Sequence, residues 1–131
     1  MMFNVLVNIS PPPQTFLKSH RLLNAADFDA VFKSVDLKIA TPHFLYLIHF
    51  GQKSGPRIGF VIAKKKVKTA VKRNLIKRLH REKFRQLQYD LPRCDIVVLA
   101  NPKANHATKA QCHQSIEKAF KRILDIERQD G

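Results

Sequence analysis

Lys64 to Arg85, KKKVKTAVKRNLIKRLHREKFR, is the stretch from which the rest of the chain can be placed. Eleven of the chain's 24 Lys and Arg fall in these 22 residues, against a single acid, Glu82. A charge run of this size is either a disordered polybasic tail or an ordered face presented to a polyanion. Apolar spacing separates the two. At about 100 degrees per residue, Ile76, Leu79 and Leu87 fall on one side of a helix with Phe84 at its border. Arg73, Lys77 and Arg81 follow at i, i+4 and i+8 on another side, flanked by Asn74, Arg78 and Arg85. Such segregation marks a packed amphipathic helix. Like charges one turn apart oppose helix formation by a few tenths of a kcal/mol per pair, so the arrangement needs a compensating partner, and a phosphate backbone supplies one. The competing reading is a solvated surface helix.

On either side of this helix lie apolar runs. RIGFVIA, Arg57 to Ala63, reads as a buried strand in which Gly59 allows close backbone approach. CDIVVLA, Cys94 to Ala100, reads as a central strand covered on both faces. A strand, helix, strand unit makes these two strands parallel neighbours. Further upstream, Asn24 is a candidate N-cap, with Asp27 favouring the positive helix end. Ala25, Phe28, Val31 and Phe32 form the apolar stripe of a helix over about 25–33. Leu37 to Ala40 and His43 to Phe50 read as strands, and Gly51 to Pro56 as a turn. Thr108 to about Arg128 is amphipathic, with Ile116, Ala119, Phe120, Ile123 and Leu124 apolar. The expected order is α-β-β-β-α-β-α, an α/β (α+β) sandwich with a mixed sheet of about four strands and helices packed on it.

The 131 residues, 44% hydrophobic with nine Phe, carry a formal charge of +14, the composition of one cored domain with an anionic partner. No apolar run approaches the roughly 20 residues of a membrane span. The opening MMFNVLVNIS lacks a basic region and a cleavage site and runs into Pro11, Pro12 and Pro13. Residues 1–13 are therefore read as a poorly ordered extension, or as the product of a misassigned start, and 14–131 as the domain. Two cysteines, Cys94 and Cys112, make neither a zinc site nor a disulfide framework, which fits a reducing cytoplasm.

Catalytic motifs are missing. His20, His43, His49, His80, His106 and His113 are scattered, each read as structural or surface. There is no paired acid and base, no Gly-rich phosphate loop and no nucleophile motif, so no catalytic or metal-ligating residue is assigned. The basic helix, by contrast, meets the demands of phosphate binding. Arg forks grip phosphate oxygens bidentately, Lys supplies mobile charge, and Asn reads a base edge or sugar hydroxyl. Phe28 and Phe32 are core residues or, alternatively, a platform for unpaired bases.

Ala63 to Arg85, preceded by PRIGFVI, closely resembles the signature of the bacterial ribonuclease P protein subunit, roughly S-K-K-x-G-x-A-V-x-R-N-R-I-K-R-L-x-R-E-x-F-R. The resemblance extends over about residues 16–129, through Arg21-Leu22, Asp27-Phe28, Val31 and Phe32, Phe44 to Leu47, and Asp95 to Ala100. It implies a left-handed strand, helix, strand crossover, and a catalytic RNA that removes the 5′ leader of precursor tRNA using bound Mg²⁺. It further implies a single, monomeric protein copy per RNA, aiding substrate affinity and metal binding. By motif match Lys64, Lys65, Arg73, Asn74, Lys77, Arg78 and Arg81 would face the catalytic RNA. Phe28, Phe32 and, more weakly, Tyr46 on the long strand would line the leader cleft. Leu75 stands where the family has a second Arg, a contact either absent or supplied by a neighbour such as Lys72, and Lys68 replaces a Gly. Composition alone also allows a stand-alone RNA-binding or ribosome-associated protein. A DNA-binding module is disfavoured, for no helix-turn-helix or dimer signature is seen.

Overall fold

The basic helix, α2, spans Ala70–Leu87. Thr69 caps it, its hydroxyl accepting from the Lys72 N–H at 3.2 Å, and satisfies one of the donors left over in the first turn. Ile76, Leu79, His80 and Phe84 form its buried side. The computed structural model describes residues 16, 18–22, 24–50 and 55–130. The extension expected at 1–13, and most of the turn expected at 51–56, lie outside the described residues.

Around α2 the order is α1 (Ala25–Lys33), β1 (Leu37–Ala40), β2 (Phe44–Phe50), β3 (Arg57–Val61), α2, β4 (Cys94–Ala100) and α3 (Lys109–Asp130), with short 3-10 turns at Lys18–His20 and Pro102–Asn105. Asn24 caps α1 as expected, Oδ1 accepting from Asp27 N–H at 3.0 Å. The strands form one mixed sheet, β1-β2-β4-β3, antiparallel except for the β3–β4 pair. β4 is central and almost wholly buried, which is why it reads as a continuous apolar run rather than an alternating one.

Side-chain alternation divides the sheet into two faces. Phe44, Tyr46, Ile48, Ile58, Ile96 and Val98 join Ile76, Leu79, Phe84, Ile116, Phe120 and Ile123 in the main core under α2 and α3. Leu47 and Val97 meet Val31 and Leu22 in a smaller core under α1. The interval from α1 to the sheet is tight at Gly59, where an added Cβ would sit 2.7 Å from Phe28 Cζ and 2.8 Å from Leu22 Cβ. At the rim Arg57 donates through Nε and Nη2 to the two oxygens of Asp95, at 2.9 and 2.8 Å, and reaches Asp27 at 3.5 Å. The hydrogen bond to Asp95 raises the Arg57 pKa from its ordinary value, burial opposing.

The hand of the β3-α2-β4 unit follows from backbone chemistry. Asn101 N–H donates to His43 O at 3.0 Å, so the odd-numbered residues of β4 turn their backbone groups to β2 and the even-numbered ones, Ile96 and Val98, to β3. For an L-residue whose side chain faces the viewer on an ascending strand, those groups point right. Seen from α2, β3 thus lies to the right of β4, and the chain moves leftward through a helix in front of the sheet. The crossover is left-handed, against the general rule.

Candidate nucleic-acid interface

The basic residues divide between a turn and a helix. Lys64, Lys65 and Lys66 are exposed in the turn that leaves β3, while Val67 between them and α2 is buried and anchors it. Asn105, in the 3-10 turn after β4, clamps this loop from the side. Its Oδ1 accepts from Lys68 N–H at 2.9 Å, and its Nδ2 donates to the carbonyls of Lys66 and Pro102. Arg73 braces the loop from below, Nη1 donating to Val67 O at 2.8 Å. The backbone that carries the cations is therefore held in place before any partner arrives, beside the positive end of the α2 dipole.

On α2 itself, Asn74 and Arg78 are exposed, and Val71 in the first turn is 81% exposed. The row Arg73, Lys77 and Arg81 is half-buried. It leans over the β3 edge, and Lys77 and Arg81 line a recess of about 250 Å³ with Arg21, Leu22, Phe28, Ile58, Gly59 and Phe60. The Arg81 guanidinium packs on two rings, 5.7 Å from the Phe16 centroid and 5.4 Å from that of Phe60. Arg21 also lies over the Phe16 ring, 5.3 Å from its centroid. Burial, with Arg21 adding to it, lowers the Arg81 pKa from its ordinary value. Its Nε is buried with no hydrogen-bond partner among the described residues.

Leu75, the departure from the family pattern, packs against the main core one turn before Leu79. Lys72 is no free substitute for the missing Arg, because its Nζ donates to Ala107 O.

The sheet supplies a second kind of surface. Ala40, Leu45, Leu99 and Val61 form one row across all four strands on the α1 face. α1 covers the next row, where Leu47 and Val97 are buried, but leaves Ala40 and Val61 exposed and Leu45 and Leu99 half-exposed. This apolar strip ends beside the Lys64–Lys66 turn, because Val61 lies three residues before it. Of the aromatic candidates, Phe32 is 43% exposed on α1 and Phe28 is half-buried against Gly59. Tyr46 is a correction: it has no exposed surface and faces α2, with its Oη 2.7 Å from His80 Nε2. Its position beside Leu45 and Leu47 in a strand of period two sends it to the opposite face. The row through Leu45, Leu99 and Val61, the Phe16–Arg81–Phe60 stack and the Asn105 clamp were not foreseen from sequence. Alternation along the strands points to the row; the other two join residues 21 to 65 positions apart and leave no local signal.

His80 is buried and neutral. Its Nδ1–H donates to Ile76 O at 2.8 Å, and burial lowers its pKa to about 4. Among the described residues no group of three His, Cys, Asp or Glu gathers to hold a metal ion, and no helix is long and apolar enough to cross a membrane.

The sequence profile of the ribonuclease P family, described as "Ribonuclease P", matches residues 16–124. The chain is 43% identical over 109 residues to the ribonuclease P protein component of Pseudomonas aeruginosa strain PAO1, covering 83% of this chain and 81% of that one. It is 39% identical over 109 residues to the component from Acinetobacter baylyi, covering 83% of each. Among solved structures, the RNase P protein of Staphylococcus aureus superposes with a TM-score of 0.70 at 29% identity, over 84% of this chain and 96% of that one. The Thermotoga maritima protein gives 0.66 at 28% identity, over 79% and 96%. With the signature on α2, the mixed sheet and the left-handed crossover in place, these similarities settle the family: the chain belongs to the bacterial ribonuclease P proteins.

Proposed function

We propose that this chain is the protein subunit of ribonuclease P, an accessory of tRNA 5′ maturation whose hydrolytic step is carried by a catalytic RNA. Lys64, Lys65, Asn74 and Arg78, with Lys77, Arg73 and Arg81 behind them, bind that RNA. The exposed row Ala40–Leu45–Leu99–Val61, with Phe32 and the edge of Phe28, takes the 5′ leader of precursor tRNA. The observation that carries the reading is the adjacency of a preorganised cationic turn and an uncovered apolar strip. The first suits phosphates, and the second suits the faces of unpaired bases.

Mg²⁺ in this reading is held mainly by the RNA. The chain assists by offsetting phosphate repulsion where two RNA segments are brought together. One protein acts per RNA, as a monomer, in the cytoplasm. Cleavage of a precursor tRNA by the RNA subunit of the same organism, with and without the protein, tests the proposal at low Mg²⁺. Stimulation of leader removal is expected, and its absence overturns the reading in favour of a stand-alone RNA-binding protein.

A further inference from the structure

The two edges of the sheet are β3, beside α2, and β1 on the far side. Between β1 and α3 runs a groove of about 360 Å³, with Lys38, Ile39 and Ala40 on one wall and Lys118, Lys121, Arg122 and Asp125 on the other. We propose that this groove is a second RNA-backbone site, contacting phosphates without reading sequence, on the edge of the sheet opposite α2. It rests on the reading of the chain as an RNA-binding subunit and extends it to a separate surface.

Four observations carry the proposal. Lys118, Lys121 and Arg122 stand at i, i+3 and i+4 on α3, roughly 5–6 Å apart at Cβ, and all three are exposed. None forms an ion pair among the described residues, Asp125 included. Within the groove a single acid, Asp125 at i+4 from Lys121 and i+3 from Arg122, offsets part of their mutual repulsion, and a chain of phosphates would relieve the rest.

The β1 wall adds donors. Thr41 N–H bonds to Phe44 O at 2.9 Å, which fixes the parity of the ladder: Leu37 and Ile39 turn their backbone groups to β2, and Lys38 and Ala40 turn theirs outward into the groove. Outward N–H groups beside three cations make an anion-binding edge. The same geometry argues against a peptide strand. The free edge offers only those two residues before a bulge, where Asp36 N–H also reaches Ile48 O at 2.8 Å, and so short an edge supports little pairing. A second copy of the chain is opposed by the formal charge of +14. From β1 to β3 is three strand spacings, about 14 Å, so the groove meets a different stretch of RNA from the one on α2.

The test is the triple variant Lys118→Gln/Lys121→Gln/Arg122→Gln in the reconstituted holoenzyme, with circular dichroism to verify folding. Binding of the catalytic RNA to the protein, and of precursor tRNA to the holoenzyme, is titrated across salt concentrations. For the catalytic RNA, the occupant assigned to the groove, the slope of log K against log salt should fall by about two units, because each lost phosphate contact removes most of one unit, and a fall for precursor tRNA alone overturns the proposal. Unchanged slopes in both overturn the proposal. So does an equal loss in the control Lys103→Gln/Lys109→Gln, which removes charge outside the groove. Wild-type cleavage run in parallel separates the two claims: a fallen slope with no stimulation of cleavage leaves the groove standing and removes the ribonuclease P reading.

Discussion

Tyr46 Oη lies 2.7 Å from His80 Nε2, joining the middle of β2 to the middle of α2 inside the main core. Because His80 Nδ1 must donate to the Ile76 carbonyl, Nε2 is the acceptor and the tyrosine hydroxyl the donor. The basic helix is therefore held on the sheet by a polar bond as well as by Ile76, Leu79 and Phe84, and the tyrosine can be its donor only with the imidazole neutral.

The His80 pKa of about 4 sits below its ordinary 6.5. The unfolded chain therefore binds the proton first as pH falls. The stabilisation is complete above about pH 6.5 and is lost progressively down to about pH 4, by roughly 3 kcal/mol. Urea midpoints measured between pH 7 and pH 4 should fall accordingly, and Tyr46→Phe, which strands Nε2, should cost roughly 1–3 kcal/mol at pH 7. A flat midpoint across that window in wild type contradicts the assignment.

Gly59→Ala places a methyl 2.7 Å from Phe28 Cζ and 2.8 Å from Leu22 Cβ. Leu22 and Phe28 must move, at roughly 1–3 kcal/mol for an overpacked contact. The variant should melt lower and, because α1 borders the apolar strip, weaken binding of substrates with a leader more than of mature tRNA. Equal weakening of both would separate α1 from the leader.

Arg78→Ala removes an exposed cation. The melting temperature should not change, while the salt slope for catalytic RNA falls by about one unit. Arg73→Ala should lower the slope and also loosen the Lys64–Lys68 loop, because Arg73 Nη1 holds Val67 O. An unchanged slope removes either residue from the interface.

Asn105→Ala takes away no charge. It frees Lys68 N–H and the Lys66 carbonyl from their clamp, and so loosens the turn that presents the cations. Affinity for the catalytic RNA should fall several-fold with the salt slope intact, the mark of lost preorganisation rather than lost contacts. If the slope falls instead, Asn105 changes which cations reach the RNA.

Elements whose residues are contiguous were legible in the chain. The α2 stripe, the β4 run and the Asn24 cap all appear where periodicity and capping place them, and Gly59 is the close approach its position suggested. What could not be read locally depends on parity and on distant pairing. Tyr46, already the weaker leader-cleft candidate, is sent under His80 by the register. Spacing gives the Arg73–Lys77–Arg81 row its own side of the helix, but not the Phe16 and Phe60 rings found beside Arg81. Leu75 looks like a lost contact, and its packing against the core gives it a different use.

Cys94 and Cys112 are both buried, so one added surface cysteine can carry a photoreactive probe selectively. The most direct test compares such probes at Arg78→Cys and Val61→Cys in the holoenzyme bound to precursor tRNA. The account predicts that the probe at 78 crosslinks to the catalytic RNA and the one at 61 to the 5′ leader. Crosslinking of both to the same RNA, or of the probe at 78 to the leader alone, contradicts it.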